Sequence, residues 1–294
     1  MLEKRRGGYN IVPGRAFEAE VNSKLALPSS FSFLKQMTSP FATPRSIVIT
    51  GSSNGIGAAL ALRYARSGVT LGLLGRDVRR LSHITQQCQA RGAQVEVGVV
   101  DVTDVRGMGD WLLAFDSRHP VDLIIANAGV AHTVSDMNQG ESWDDVQQQF
   151  STNTQGTLNT IHPLLDHMRG RRHGQIGIVS SLSGYVGMPI SPAYCASKAA
   201  IKVYGEALRG WLAPHCVGVT VICPGFVESD MSDRFPGPTP FRISADEAAQ
   251  RIQLGLARNR ARVSFPFPLN LSMWFLSILP PTLSLWLQRR FGYL

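Results

Sequence analysis

Residues 46–68 read SIVITGSSNGIGAALALRYARSG. The first five form a β-branched run of strand length, and the last dozen are rich in Ala and Leu, as a helix is. Between them "TGSSNGIG", Thr50 to Gly57, sets three glycines in eight residues. An ordinary turn would account for glycine alone. Glycine that ends a strand and opens a helix implies more. The free amides of a helix's first turn attract a phosphate, and Gly51, Gly55 and Gly57 let backbone and ligand approach without a Cβ between them. The stretch points to a nucleotide held on an α/β sheet.

The chain on either side repeats the alternation. "VTLGLL" is followed by a polar helix-like run from Asp77 to Ala90, then by "QVEVGVV", which ends at Asp101. "VDLIIA" precedes "NAG", and a long helical stretch runs from about Trp143 to Met168. "GQIGIVS", a helix through "YCASKAAIKVYGEALRGWLA", and "VGVTVIC" ending in "PG" complete the series. Ser244 and Glu247 fit a capping box for a helix ending near Arg258, and "RVSFP" reads as a last strand. Strands alternating with helices imply a Rossmann-type doubly wound parallel sheet, about seven strands, with helices on both faces.

The 294 residues are 44% apolar, enough for a core, and carry a formal charge of +8. No basic run exceeds Lys4 to Arg6 and no nucleic-acid motif accompanies it, so nucleic acid is not an expected partner. Cys88, Cys195, Cys216 and Cys223 form no CxxC pair, and the seven histidines show no ligand spacing. Neither a metal site nor a disulfide framework is expected, and a reducing, cytoplasmic location is. Residues 1–44, rich in Ser, Pro and Gly, lack both a signal peptide's apolar run and any sustained period. They read as a loose extension, with Met37 an alternative start. Residues 45–263 then form the nucleotide-binding and catalytic domain, and 264–294 an apolar C-terminal segment.

The second strand ends in "LLGRD". In a dinucleotide fold this end meets the adenosine ribose. Arg76 there suits the 2′-phosphate of NADP, whereas Asp77, one position on, leans toward the hydroxyl of NAD. In "YCASK", Tyr194 and Lys198 are four apart and share a helical face. Alone, they are as easily a surface pair.

Together these motifs resemble the short-chain dehydrogenases/reductases with the TGxxxGxG pattern. The resemblance runs over about residues 45–231, through "TGSSNGIG", "DVTD" at Asp101, "NAG" at Asn127, Asn153, "SS" at Ser180, "YCASK" and "PGFVES" from Pro224. It implies a catalytic tetrad of Asn153, Ser181, Tyr194 and Lys198. Tyr194 would be the general acid and base, its pKa lowered by Lys198 and the nicotinamide's charge. Ser181 would bond the carbonyl oxygen, Lys198 the nicotinamide ribose, and Asn153 would hold a water that links Lys198 to solvent. It also implies that Gly51, Ser53, Asn54, Gly55, Ile56 and Gly57 hold the cofactor's phosphates and Asp101 and Val102 the adenine. Asn127, Ala128 and Gly129 would support the central strand beside the cofactor, and Pro224, Gly225, Val227 and Ser229 the nicotinamide. Ala126 replaces the family's first Asn, and Asn54 stands where many NADP-preferring members carry a basic residue.

The expected activity is hydride transfer between a carbonyl and an alcohol with NADP(H) preferred and NAD(H) accepted, by a homo-oligomer, dimer or tetramer. The alternative is a catalytically silent NADP(H)-binding sensor, which would not need all four tetrad side chains. Residues 226–241 are expected to form a lid. Residues 265–294 carry no acidic residue, and their four prolines argue for two short helices meeting at "LPP" rather than a membrane span. These helices are expected to serve as a structural cap or oligomer interface, or else as a roof over a lipophilic substrate with peripheral membrane contact.

Overall fold

The computed structural model describes residue 41, residues 43–134 and residues 140–291. Except for Phe41 and residues 43–44, the N-terminal extension, with the alternative start at Met37, lies outside the described residues. Phe41 lies against β6 (Val217–Pro224), where a Cβ on Gly218 would meet its ring. Packing thus begins before residue 45.

β1 (Ser46–Thr50) is buried along its whole length. It pairs in parallel with β2 (Thr70–Leu74) on one side and β4 (Leu123–Ala126) on the other. β3 (Gln94–Gly98), β5 (Gly174–Val179) and β7 (Arg262–Phe265) complete a seven-stranded parallel sheet in the order β3-β2-β1-β4-β5-β6-β7. Side chains on a strand alternate between faces. Ile47 and Ile49 join a core with α1 (Gly55–Tyr64), α2 (Val78–Ala90) and α8 (Ala245–Ala257). Val48 joins the opposite core with α3 (Val105–Arg118), α5 (Gly156–Arg171) and α6 (Pro192–Leu212). Burial on both faces explains why β1 reads as an unbroken apolar run.

The structure differs from the sequence reading in two elements. The sequence reading placed nothing between Asp101 and Val121, yet α3 fills that stretch. Gly107 and Gly109 dilute its helical signal, but Asp104 caps it by accepting from the Gly107 amide at 3.0 Å, and Met108, Leu112 and Phe115 pin its inner face. The stretch expected as one helix from Trp143 to Met168 is instead α4 (Trp143–Gln149), a π-turn at Phe150–Gln155, and α5. The π-turn rotates Thr152 and Asn153 into the interior.

The tail forms two short helices, α9 (Leu269–Ile278) and α10 (Pro281–Arg290), broken at Leu279–Pro280. Leu269 and Met273 dock α9 on a small cluster of Leu182, Val221 and Cys223. No helix among the described residues is long and apolar enough to cross a membrane.

Candidate active site

The strand order reverses between β1 and β4, and a crevice opens beyond their carboxyl ends. Gly51 leaves β1 with φ +65°, and Gly55 opens α1 with φ +53°. A Cβ on Gly51 would lie 2.9 Å from the Cα of Ala128. Asn54 caps α1 by accepting from the Gly55 amide at 2.7 Å. Asn127 ties the loop to β4, its Nδ2 donating to Thr50 O at 2.9 Å and Gly51 O at 3.2 Å. Thr50 Oγ1 in turn accepts from the amides of Asn127 and Ala128. That role of Thr50 was missed in the sequence, where the residue reads as the end of a strand.

A cavity of about 1480 Å³ occupies this crevice, and every expected site residue lines it except Gly57 and Asn153. Gly57 lies behind the wall, where a Cβ would run into the carbonyl of Gly51; it lets helix and turn pack rather than touching a ligand. Asn153 is fully buried. Its Oδ1 accepts from the Val130 amide at 2.8 Å, and its Nδ2 donates to Val130 O at 2.9 Å and Ser197 Oγ at 3.0 Å. Both ends of its side-chain amide are therefore committed to protein. The side chain thus clamps Gly129 and Val130, and a water held at Asn153 would meet the backbone carbonyl, which already accepts from Thr157 Oγ1 at 2.7 Å.

Ser181 follows β5, and its Oγ accepts from the Ser183 amide at 3.1 Å. Ser181 also stands by the Tyr194 phenol and works against the effect of its burial. One turn along α6, Lys198 donates from Nζ to Val179 O at 3.0 Å and lies 5.8 Å from the centroid of the Tyr194 ring. Ser180 Oγ donates to Lys198 O at 2.7 Å and so ties the end of β5 to this helix turn. The start of α6 is held by Glu141, whose carboxylate accepts from the Ala193 amide at 2.9 and 3.1 Å. A partner 52 residues away leaves no signal in the sequence.

At the adenosine end, Arg76 Nη1 donates to Asp101 Oδ2 at 3.1 Å. Asp77, which also lines the cavity, caps α2 by accepting from the Arg80 amide at 3.0 Å. Burial alone would raise the Asp101 carboxyl, but bonds from Thr103 and Arg76 outweigh it and hold the group below its ordinary value. Opposite, Ser229 caps the one-turn helix α7 (Asp230–Asp233). Asp230 accepts from Arg80 Nη1 at 2.6 Å, joining the head of the expected lid to α2, and lines the cavity together with Asn54 of the glycine loop. The lid's base is pinned where the Glu228 amide donates to Ile243 O at 2.9 Å and the Ile243 amide to Phe226 O at 3.1 Å.

The profile of short chain dehydrogenases matches residues 45–237. An uncharacterized oxidoreductase of Myxococcus xanthus is 35% identical over 237 residues, 80% of this chain and 93% of its own. The chain belongs to the short-chain dehydrogenase family. By that membership it is an oxidoreductase. An 11-beta-hydroxysteroid dehydrogenase-like protein of Arabidopsis thaliana is 32% identical over 247 residues, 81% of each chain. Among solved structures, a 3-ketoacyl-ACP reductase from Sinorhizobium meliloti superposes with a TM-score of 0.68 at 26% identity, covering 77% of this chain and 99% of its own. A short-chain dehydrogenase from Sphingobium yanoikuyae in complex with NADPH gives 0.69 at 22% identity, covering 76% and 88%, and attests the fold.

In this dehydrogenase, burial acts on the tyrosine and the lysine in opposite directions. Burial pushes the Tyr194 phenol up to about 12, against which Ser181 works. Burial also lowers the Lys198 ammonium to about 8. The ammonium stands 5.8 Å from the centre of the Tyr194 ring, while it hydrogen-bonds the Val179 carbonyl.

Proposed function

We propose that the enzyme interconverts a lipophilic ketone or aldehyde and its alcohol, with NADP(H) as the redox partner. The reading rests on one juxtaposition: Tyr194 and Ser181 lie on the wall of a large cavity whose lining elsewhere is apolar, with Phe226, Met231, Phe235, Met273 and Leu276 among it. The loop of Gly51 to Gly55 and the amide end of α1 suit a pyrophosphate. Arg76 and Asp77 both line the cavity, but one carboxylate oxygen of Asp77 is engaged as the cap of α2, and the guanidinium of Arg76 supports a 2′-phosphate over a free ribose hydroxyl.

Bound NADPH would supply the hydride. Tyr194 would give its proton to the carbonyl oxygen as that oxygen gains charge, and Ser181 would bond the same oxygen. Lys198 would hold the nicotinamide ribose and set an ammonium beside the phenol. Asn153 would keep the Gly129–Val130 turn in place beside them. The apolar helices α9 and α10 would roof the substrate, and we place any lipid contact of the enzyme there.

NADPH oxidation across ketones and aldehydes of rising chain length tests this directly. Activity should climb with chain length. Tyr194→Phe should lower turnover by about 10²-fold or more while NADPH titration stays near wild type. Wild-type turnover in that variant would remove Tyr194 from the acid/base role. Tight NADPH binding with no turnover of any carbonyl compound would identify a sensor instead.

A further inference from the structure

We propose that the outer face of α9 and α10 docks on an anionic lipid bilayer and that the cavity opens into it. The inference rests on the reading of the site as one for a lipophilic carbonyl compound, and names where that compound is met. Leu271, Trp274, Phe275 and Phe291 line the cavity and are at the same time exposed. The apolar wall of the pocket and the apolar outside are thus carried by the same side chains. Ile278 and Trp286, 59% and 61% exposed, extend the patch without lining the cavity. An exposed patch of this size marks an interaction surface.

Three observations select a bilayer as the occupant. The first is charge. No Asp or Glu follows Glu247, and the only charges on the two helices are Arg289 and Arg290 at the exposed end of α10. A second copy meeting this face would bring its own arginines with no carboxylate on either helix to receive them. Anionic headgroups answer both the arginines and the apolar residues. The second is length. Each helix has ten residues, too short to span and suited to lying at the interface with tryptophan and arginine at headgroup depth. The third is the position of the cavity. A protein seated here would cover residues that line the pocket, whereas a leaflet presents the lipophilic substrate to it.

The test is co-sedimentation of the full chain with phosphatidylcholine vesicles, alone and with about a third phosphatidylglycerol. The protein should pellet with the anionic vesicles and far less with the neutral ones. The variant Ile278→Glu/Trp286→Glu should stay in the supernatant. Arg289→Gln/Arg290→Gln should weaken partition by about thirtyfold. Melting temperature and NADPH titration should match wild type in both variants, which separates lost docking from lost folding. Wild-type protein that ignores anionic vesicles overturns the proposal, as does either variant pelleting like wild type or equal partition to neutral vesicles. If velocity sedimentation shows a wild-type dimer that Ile278→Glu/Trp286→Glu breaks while neither protein pellets, the face belongs to a second copy. Absence of NADPH turnover with vesicle binding intact would sink the carbonyl reading and leave the docking face standing.

Discussion

Tyr194 and Lys198 occupy one face of α6, yet burial shifts their pKa values in opposite directions, because one is charged when deprotonated and the other when protonated. The spacing that pairs them was legible in five letters of sequence; the sign of the tyrosine's shift was not, because desolvation depends on walls contributed by other elements. Asn153 shows the same limit. Its residue type and order in the chain marked it, but its commitment to Val130 and Ser197 follows from a π-turn that no local pattern announces. The lysine's depressed value fixes a pH dependence. The ammonium is present below about 8 and lost above it. If the ammonium assists Tyr194 and the cofactor, kcat/KM for NADPH at saturating ketone should fall as pH rises through that value; a profile flat to about pH 10 would rule out that assistance. Arg76 gives a second prediction. A charge-assisted bond to a 2′-phosphate contributes about 1.5–3 kcal/mol, one to two decades of preference. Arg76→Ala should therefore erode the ratio of kcat/KM for NADPH over NADH by roughly tenfold to a hundredfold, and an unchanged ratio would exclude Arg76 as the reader of that phosphate.

At the scale of elements, buried strands were the most legible features, because burial on both faces leaves uninterrupted β-branched runs such as "SIVIT". Helix α3 was not, since two glycines blur its period and its stability comes from Met108, Leu112 and Phe115 against the sheet. Contacts between distant elements were invisible. Among them, the bond of Arg80 on α2 to Asp230 at the head of α7 ties the expected lid to the helix that follows β2, at the rim of the crevice that Asp230 lines. Both charged partners are half-exposed, so the latch is weak enough to open and its worth depends on salt. On the proposed reading, Asp230 and Asn54 line the crevice that the dinucleotide would occupy. We predict that Asp230→Asn speeds NADPH release and raises its dissociation constant by about two- to fivefold at low salt, with the difference fading as salt is raised. Stopped-flow displacement at several ionic strengths reads both. Equal release rates in variant and wild type at low salt would mean that the latch does not hold the cofactor.

For the whole molecule, the doubly wound sheet places two tasks at opposite ends of one cavity. The glycine loop and Arg76 lie at the β1–β2 end, and the tail roofs the side beyond β6. Met273 and Leu269 seat α9 on Leu182, Val221 and Cys223, next to the turn that carries Ser181. The sheet does not need the tail for its pairing, because β7 ends at Phe265 and already bonds β6 along Arg262 to Phe265. A chain ending at residue 267 should thus keep its sheet, its glycine loop and the Tyr194–Ser181 pair, while losing Leu271, Met273, Trp274, Phe275 and Leu276 from the cavity wall. Burial of a methylene contributes about 0.8 kcal/mol, so each one that the roof covers raises affinity about fourfold. The shortened enzyme should bind NADPH within about twofold of wild type and reduce short ketones at a comparable rate. Its kcat/KM should cease to rise with chain length, and its melting temperature should drop by several degrees as the Leu182 cluster is uncovered. Calorimetry and the chain-length series measure the two effects separately. A truncated enzyme that still favours long chains would place the lipophilic selectivity in Phe226, Met231 and Phe235 of the lid rather than in α9 and α10.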